Sequence, residues 1–398
     1  MHTRATTLLL NVAHALDHMF LLIFATAVST IAAEFGLARW EDLMPYGAAA
    51  FLMFGLGSLP AGKLGDSWGR RVMMLVFFFG IGVSSILVAL THSPVQMAIA
   101  LALLGTFAAI YHPAGIPMLV QGSARPGWTI GVNGFAGNIG VALAAVITGF
   151  IVKYLGWRMA FVIPGIAAIG CGIWFMVAAK VETTPPAKRK ATQVELPPAL
   201  LARVFLIMTL AATSASLLFN FSTNGNYELL TERLAATTRD PAMLGLLLAI
   251  VYTIASVAQL VVGSLIDKAS LKRLYLGVIA LQIPALLLAS GAQGWWLYGA
   301  QVLFMLAIFG AIPFTDAMIV RYVDDRMRSR VAGMRLTVSI GASSIAVWAL
   351  GPIVKTAGFD VLLLTMACIA GVTFAVMTQL PESIAEAARA APVPGAAE

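Results

Sequence analysis

Gly62-Lys63-Leu64-Gly65-Asp66-Ser67-Trp68-Gly69-Arg70-Arg71 stands between two long apolar runs. Its three glycines permit a tight turn. Asp66 and Arg70 are spaced to pair with each other or with the ends of facing helices. The stretch recurs in altered form: Gly263-Ser264-Leu265-Ile266-Asp267-Lys268, followed by Lys272-Arg273, keeps the glycine, the acid and the basic residues but lacks the later glycine.

Two further matches share nearly the same offset. Ile151-Val152-Lys153-Tyr154-Leu155-Gly156 returns 202 residues later as Ile353-Val354-Lys355-Thr356-Ala357-Gly358, and Cys171 is followed by Cys368 at an offset of 197. Matches at nearly one offset, each at the same place in its half, argue for an internal duplication. Parallel repeats of this kind put a cavity between the halves near the bilayer midplane.

Composition agrees. Of 398 residues, 60% are hydrophobic and 11% charged, and mean hydropathy is +0.90. Soluble domains carry about 25% charged residues, so a soluble enzyme is excluded. The apolar residues number about 239, and twelve spans of about 20 residues would use about 240. The net charge of +7 comes from basic residues set between apolar runs rather than in one patch, so it reads as membrane topology and not nucleic-acid binding. The two cysteines form no C-x-x-C pair, so neither a disulfide framework nor a zinc knuckle is implied.

Candidate spans are 8–33, 44–62, 72–91, 95–118, 128–152 and 158–179, then 203–226, 243–264, 274–292, 295–317, 331–352 and 360–380. The first is too long for a secretory leader and reads as a retained span. With both termini cytoplasmic, that side holds about 19 of the 25 basic residues, as the positive-inside rule requires. The expected class is an all-α membrane protein of twelve transmembrane helices in two six-helix bundles. Residues 1–180 form the first bundle, 181–202 a proline-punctuated cytoplasmic linker, 203–380 the second bundle and 381–398 a cytoplasmic tail.

The Gly62–Arg71 stretch resembles the G-x-x-x-D-R/K-x-G-R-R/K signature of the major facilitator superfamily, with Ser67 where a basic residue is usual. The resemblance implies a transporter fold covering the whole chain, in a bacterial inner membrane. It also implies that Gly62, Asp66, Gly69, Arg70 and Arg71, with Asp267 and Lys268 of the second copy, serve as a latch between the cytoplasmic faces of the halves. Asp316, close to the basic run Arg321 to Arg330, is assigned to the same gating group. The plainer reading is a solvated turn obeying the positive-inside rule.

Charged residues inside the spans are few. His14, Asp17 and His18 lie at i, i+3 and i+4 on one face of the first span. A charged Asp facing lipid costs about 3 kcal/mol, so this face should turn to the cavity. A carboxylate beside imidazoles in a desolvated setting suits reversible protonation, and Asp17, His14 and His18 are the candidate proton-coupling residues. Tyr111-His112-Pro113 in the fourth span marks a proline kink that frees carbonyls for a ligand. The fifth span, Gly131-Val132-Asn133-Gly134-Phe135-Ala136-Gly137-Asn138-Ile139-Gly140, combines a glycine stripe for close packing with two asparagines. Tyr111, His112, Asn133 and Asn138 are the candidate substrate-binding residues. Packing and helix-helix hydrogen bonding are the simpler roles for all of them. Asn220, Asn224, Asn226 and Glu228 close the seventh span, and Gln259, Gln282 and Gln301 read as helix-helix hydrogen-bonding groups.

The first-span His and Asp, the fourth-span aromatic-His-Pro and the fifth-span G-x-x-G-N-x-G together resemble the fosmidomycin-resistance branch of the superfamily. That implies proton-driven export of a drug or small metabolite by a monomer that uses a small-molecule substrate, protons and the lipid bilayer. Two departures bear on antiport: the fourth span lacks the Arg of many drug/proton antiporters, and Asn138 replaces the proline of the usual antiporter signature. Uptake symport uses the same helices. A metal-handling protein built from His14, His18 and His112 is a third reading, since His at i, i+4 suits zinc. It requires spans one and four to meet, and no H-E-x-x-H occurs. Neither a Walker motif nor a cofactor fingerprint is present, so no enzyme activity, resident metal or cofactor is expected.

Overall fold

The computed structural model of the chain describes residues 3–121, 123, 125–180, 198–266, 268–322 and 325–381. Every regular element among the described residues is helical. In order they are α1 (Arg4–Glu34), a short 3-10 turn (Trp40–Asp42), α2 (Met44–Trp68), α3 (Arg70–Ala89), α4 (Pro94–Ala108), a π turn (Tyr111–Gly115), α5 (Ile116–Val120), α6 (Pro126–Leu155) and α7 (Trp157–Ala178). The second half holds α8 (Pro198–Arg233), α9 (Pro241–Ile266), α10 (Leu271–Gly291), α11 (Gly294–Tyr322) and α12 (Asp325–Met377).

Among the described residues, eleven segments are long and apolar enough to cross a bilayer, α4 to α5 acting as one. The last of them is two passes. As a single helix the 53 residues of α12 would reach about 80 Å, far beyond a hydrocarbon core of about 30 Å. The helix breaks at Gly358, where φ is +77° and ψ 172°. The repeat partner of that glycine, Gly156, separates α6 from α7 with φ +82° and ψ 164°. Counting both arms of α12, the eleven segments make twelve crossings. The same residue motif thus makes the same backbone reversal in each half.

Local sequence explains most helix ends. Pro94, Pro126 and Pro241 open helices, where a missing N–H costs nothing. Thr3 Oγ1 accepts the N–H of Thr6 at 3.1 Å, and Asp240 Oδ1 accepts those of Ala242 and Met243 at 2.9 and 3.4 Å, capping α1 and α9. One expectation is corrected here. The Gly62–Arg71 stretch is mostly helix rather than turn: α2 continues to Trp68, and Gly69 alone, at φ +88°, makes the reversal into α3. Likewise α8 runs on to Arg233, so Asn220 to Glu228 lie within the helix and not at its end.

Helices approach most closely where glycine removes a side chain, because packing and not water exclusion drives association in lipid. A Cβ on Gly140 of α6 would stand 2.1 Å from the Ala15 carbonyl oxygen of α1, and one on Gly105 of α4 would stand 2.0 Å from that of Ala50 in α2. Thr6 Oγ1 donates to the Ala178 carbonyl at 3.1 Å, and the Arg203 guanidinium to the Gln379 carbonyl at 3.4 Å. The starts of α1 and α8 therefore share one end of the molecule with the ends of α7 and α12. We call this end the terminal face and its opposite the far face.

Candidate functional site

Asp17 is thirteen residues into α1, about 20 Å along the helix and hence near its middle. The helical repeat puts Asn11, His14, Asp17 and His18 toward α6 and the π turn. The π turn spans the Tyr111-His112-Pro113 stretch in which sequence predicts a proline kink. Such turns widen the backbone locally and often mark functional positions.

His14 is the centre of the assembly. Its Nδ1 lies 2.7 Å from the Asn133 carbonyl oxygen. A carbonyl only accepts, so Nδ1 carries the proton and Nε2 is left facing His18 Nε2 at 3.2 Å. The His14 ring stacks on Tyr111 with centroids 4.7 Å apart and meets His112 edge-on at 5.2 Å. Gly137 makes room for it, since a Cβ there would stand 2.7 Å from the imidazole. The Asn133 amide donates to Tyr111 Oη at 2.7 Å and to Asn11 Oδ1 at 3.0 Å, and Tyr111 Oη donates to the Leu10 carbonyl at 3.0 Å. Tyr111 and Asn133 are both buried, the first stacked on His14 and the second accepting from it through its carbonyl.

Asp17 is fully buried, and neither carboxylate oxygen has a hydrogen-bond partner among the described residues. The imidazole of His112 lies beside it, with Nε2 3.6 Å from Oδ2. A buried, unpaired carboxylate charge costs several kcal/mol. The imidazole of His112 is placed to offset such a charge. The three imidazoles present nitrogens within 4.8 Å of one another, so spans one and four do meet, as the metal-handling reading requires.

Asn138 faces the other half of the chain: its amide donates to Gln259 Oε1 of α9. On the second half, Asn220 Nδ2 donates to Ser343 Oγ at 2.9 Å, and Ser216 Oγ donates to the Ser339 carbonyl at 2.7 Å. Gln282 donates to the Ala307 carbonyl at 3.1 Å, a bond between helices. Gln301 is buried with no partner among the described residues. Tyr252 stacks on Phe309 in the core, whereas Trp348 is exposed.

Among the described residues assigned to gating, the arginines bond within the first half of the chain. Arg70 donates to Gln121 Oε1 at 3.2 Å. Arg71 donates to the carbonyls of Ala179 and Met176 at 2.7 and 2.6 Å, and Asp66 and Lys268 are exposed. Gly62 and Gly65 are helical, and a Cβ on Gly62 would meet only Pro113, at 3.6 Å. Asp267, the side chain of Asp316, linker residues 181–197 and tail residues 382–398 lie outside the described residues.

Sequence reasoning overlooked several groups that the fold brings together. Asn11 completes the Asn133 network. Ser29 Oγ donates across the halves to the buried Glu228 Oε1 at 2.7 Å. Lys153 pairs with Asp240 and Lys355 with Asp42. The two lysines were visible as the matching position of the Ile151–Gly156 repeat. Their acidic partners carry no local signal.

A bacterial homologue of the human lysosomal transporter Spinster, solved in an inward-facing and occupied conformation, superposes with a TM-score of 0.71 at 14% identity, over 96% of this chain and 95% of that one. At that identity the likeness is one of fold. Multidrug resistance protein MdtG of Proteus mirabilis is 22% identical over 308 residues, 75% of this chain and 76% of the relative. A probable hexose phosphate transport protein of Chlamydia pneumoniae is 30% identical over 152 residues, 38% of this chain and 33% of that protein. The tetracenomycin C resistance and export protein of Streptomyces glaucescens is 30% identical over 140 residues, 34% of this chain and 26% of the exporter. The chain thus spans only about a third and a quarter of the last two relatives. The family model of the Major Facilitator Superfamily matches residues 10–232, more than half the chain. With a duplicated all-helical fold and a polar site at mid-helix, that match establishes that the chain belongs to the Major Facilitator Superfamily.

Proposed function

We propose that this transporter works by alternating access and exports a small organic compound in exchange for protons. The observation that carries the proposal is Asp17, fully buried at mid-span beside His112 with no hydrogen bond to either oxygen. Such a group is stable only while the site holds a proton, so losing the proton must accompany a change of surroundings. Asp17 with His14 and His18 exchanges protons as the bundles 1–180 and 203–380 rock about the central site. His112 and Asn138 contact the substrate directly. Tyr111 and Asn133 shape the same wall by fixing His14.

Two curated relatives named for resistance, one of them an export protein, support the export direction. The concentration of Lys and Arg at the terminal face supports a cytoplasmic location for both termini, in a bacterial inner membrane. When the terminal face closes, Gly62, Asp66, Gly69, Arg70 and Arg71 form the latch with Asp267, Lys268 and Asp316. The protein works as a monomer without a cofactor. Expression in a host stripped of efflux pumps, with growth measured across antibiotics, phosphonates including fosmidomycin and toxic metabolite analogues, tests the direction. Resistance supports export, and sensitisation supports uptake.

Uptake symport is the second reading, favoured by the similarity to a hexose phosphate transport protein. A metal-handling role draws on the imidazole spacing within 4.8 Å. Stoichiometric zinc or iron in the purified protein would favour it, and metal-free protein would remove it.

A further inference from the structure

The Ile151–Gly156 repeat does more than reverse the chain. Lys153, near the end of α6, pairs with Asp240 at the start of α9, and Lys355, its repeat partner, pairs with Asp42 just before α2. The acids are themselves repeat-related, 198 residues apart. Each pair joins one half of the chain to the other, and all four residues are partly exposed at the far face. Beneath each pair glycine lets one backbone approach the other. A Cβ on Gly149 would stand 2.4 Å from the Pro241 carbonyl oxygen, and one on its repeat partner Gly351 would stand 2.2 Å from that of Glu41. A Cβ on Gly245 would stand 2.4 Å from the Ala145 carbonyl oxygen, whereas one on its partner Gly47 would stand 2.6 Å from the Phe24 ring and 3.6 Å from Val347, the repeat equivalent of Ala145. The Ser29–Glu228 hydrogen bond lies at the α1–α8 contact between them.

We infer that the duplication built one gate twice: Lys153–Asp240 and Lys355–Asp42 are matched clasps that hold the far face shut, and both must open for the transporter to reach its outward-open state. The inference rests on the alternating-access reading. An exposed ion pair contributes little by itself. Two of them, both broken by one rocking motion, bias the equilibrium together. Glycine-lined crossings bring the helices close beneath the lysines, and the Ser29–Glu228 hydrogen bond and the stacking of Trp40 on Phe359 join the halves at the same face and part in the same motion.

The test uses the full chain in its native membrane. Cys171 and Cys368 are replaced by Ser, and Ser29→Cys serves as the reporter, labelled from the far side by a membrane-impermeant maleimide. We expect Lys153→Ala with Lys355→Ala to raise the labelling rate about fivefold over the reporter alone, the population shift that two exposed pairs can supply. Lys355→Asp alone should also raise it, and adding Asp42→Lys should return it toward the starting rate. Asp42 is used for this rescue because Asp240 also caps α9. A finite rate that the double variant leaves unchanged, or a raised rate that the charge swap does not lower at equal abundance, overturns the gate alone. No labelling in any variant overturns the gate together with alternating access.

Discussion

The carboxylate of Asp17 and the imidazole of His112 meet 3.6 Å apart although they come from α1 and the π turn of the fourth pass, ninety-five residues later in the chain. No other charged partner reaches Asp17 among the described residues. On the proposed mechanism, its protonation and the position of the π turn change together. Widening or straightening that turn changes what the carboxylate faces, which is how a proton site can be tied to a helix movement.

Asn133 should prove a positioning residue. Asn133→Ala removes the donor to Tyr111 and Asn11, and leaving buried polar partners unmade costs about 1–3 kcal/mol. Thermal unfolding in detergent should shift down accordingly, and resistance should fall with it. An unchanged melting temperature would mean that the network contributes nothing.

Two glycines of the same stripe should behave oppositely. Gly137→Ala drives a methyl to 2.7 Å from the His14 ring, whereas Gly131→Ala enters open space. We expect Gly137→Ala to abolish resistance at normal abundance and Gly131→Ala to retain it, as drug-sensitivity measurements would report. Equal behaviour would argue that the imidazole position is not critical.

The twelve crossings were legible because apolar length is a local property, and most span limits read from sequence fall close to the observed helix ends. Helix continuity was less so. Gly62 and Gly65 suggested a turn, yet glycine permits a reversal without imposing one, and helix packing carried α2 on to Trp68. The site was legible by type: His14, Asp17, His18 and His112 do gather. Their partners were not, because whether Asn133 meets Tyr111 and Asn138 meets Gln259 depends on contacts between distant helices. The Lys–Asp clasps needed contacts between distant segments that no local pattern reveals.

The far-face clasp should tolerate mild acid. Asp240 lies between spans, and the hydrogen bond from Lys153 holds its carboxyl below the usual aspartate range. A carboxyl whose folded value is depressed contributes stability above its unfolded value and loses it only as pH falls through the lower, folded one. Labelling at Ser29→Cys with Lys355→Ala, which leaves the Lys153–Asp240 pair alone, normalised to the same thiol in unfolded protein, should therefore stay level from about pH 8 to about pH 5 and rise only in stronger acid. A rise already at pH 6 would contradict this.

The most direct test of proton coupling is transport by inverted membrane vesicles of a compound found in the growth screen, with and without an imposed pH gradient. The wild type should accumulate the compound only with the gradient, and Asp17→Asn at equal abundance should show no gradient dependence. Wild-type pH-dependent transport in Asp17→Asn would contradict the account, because the proton would then be carried elsewhere.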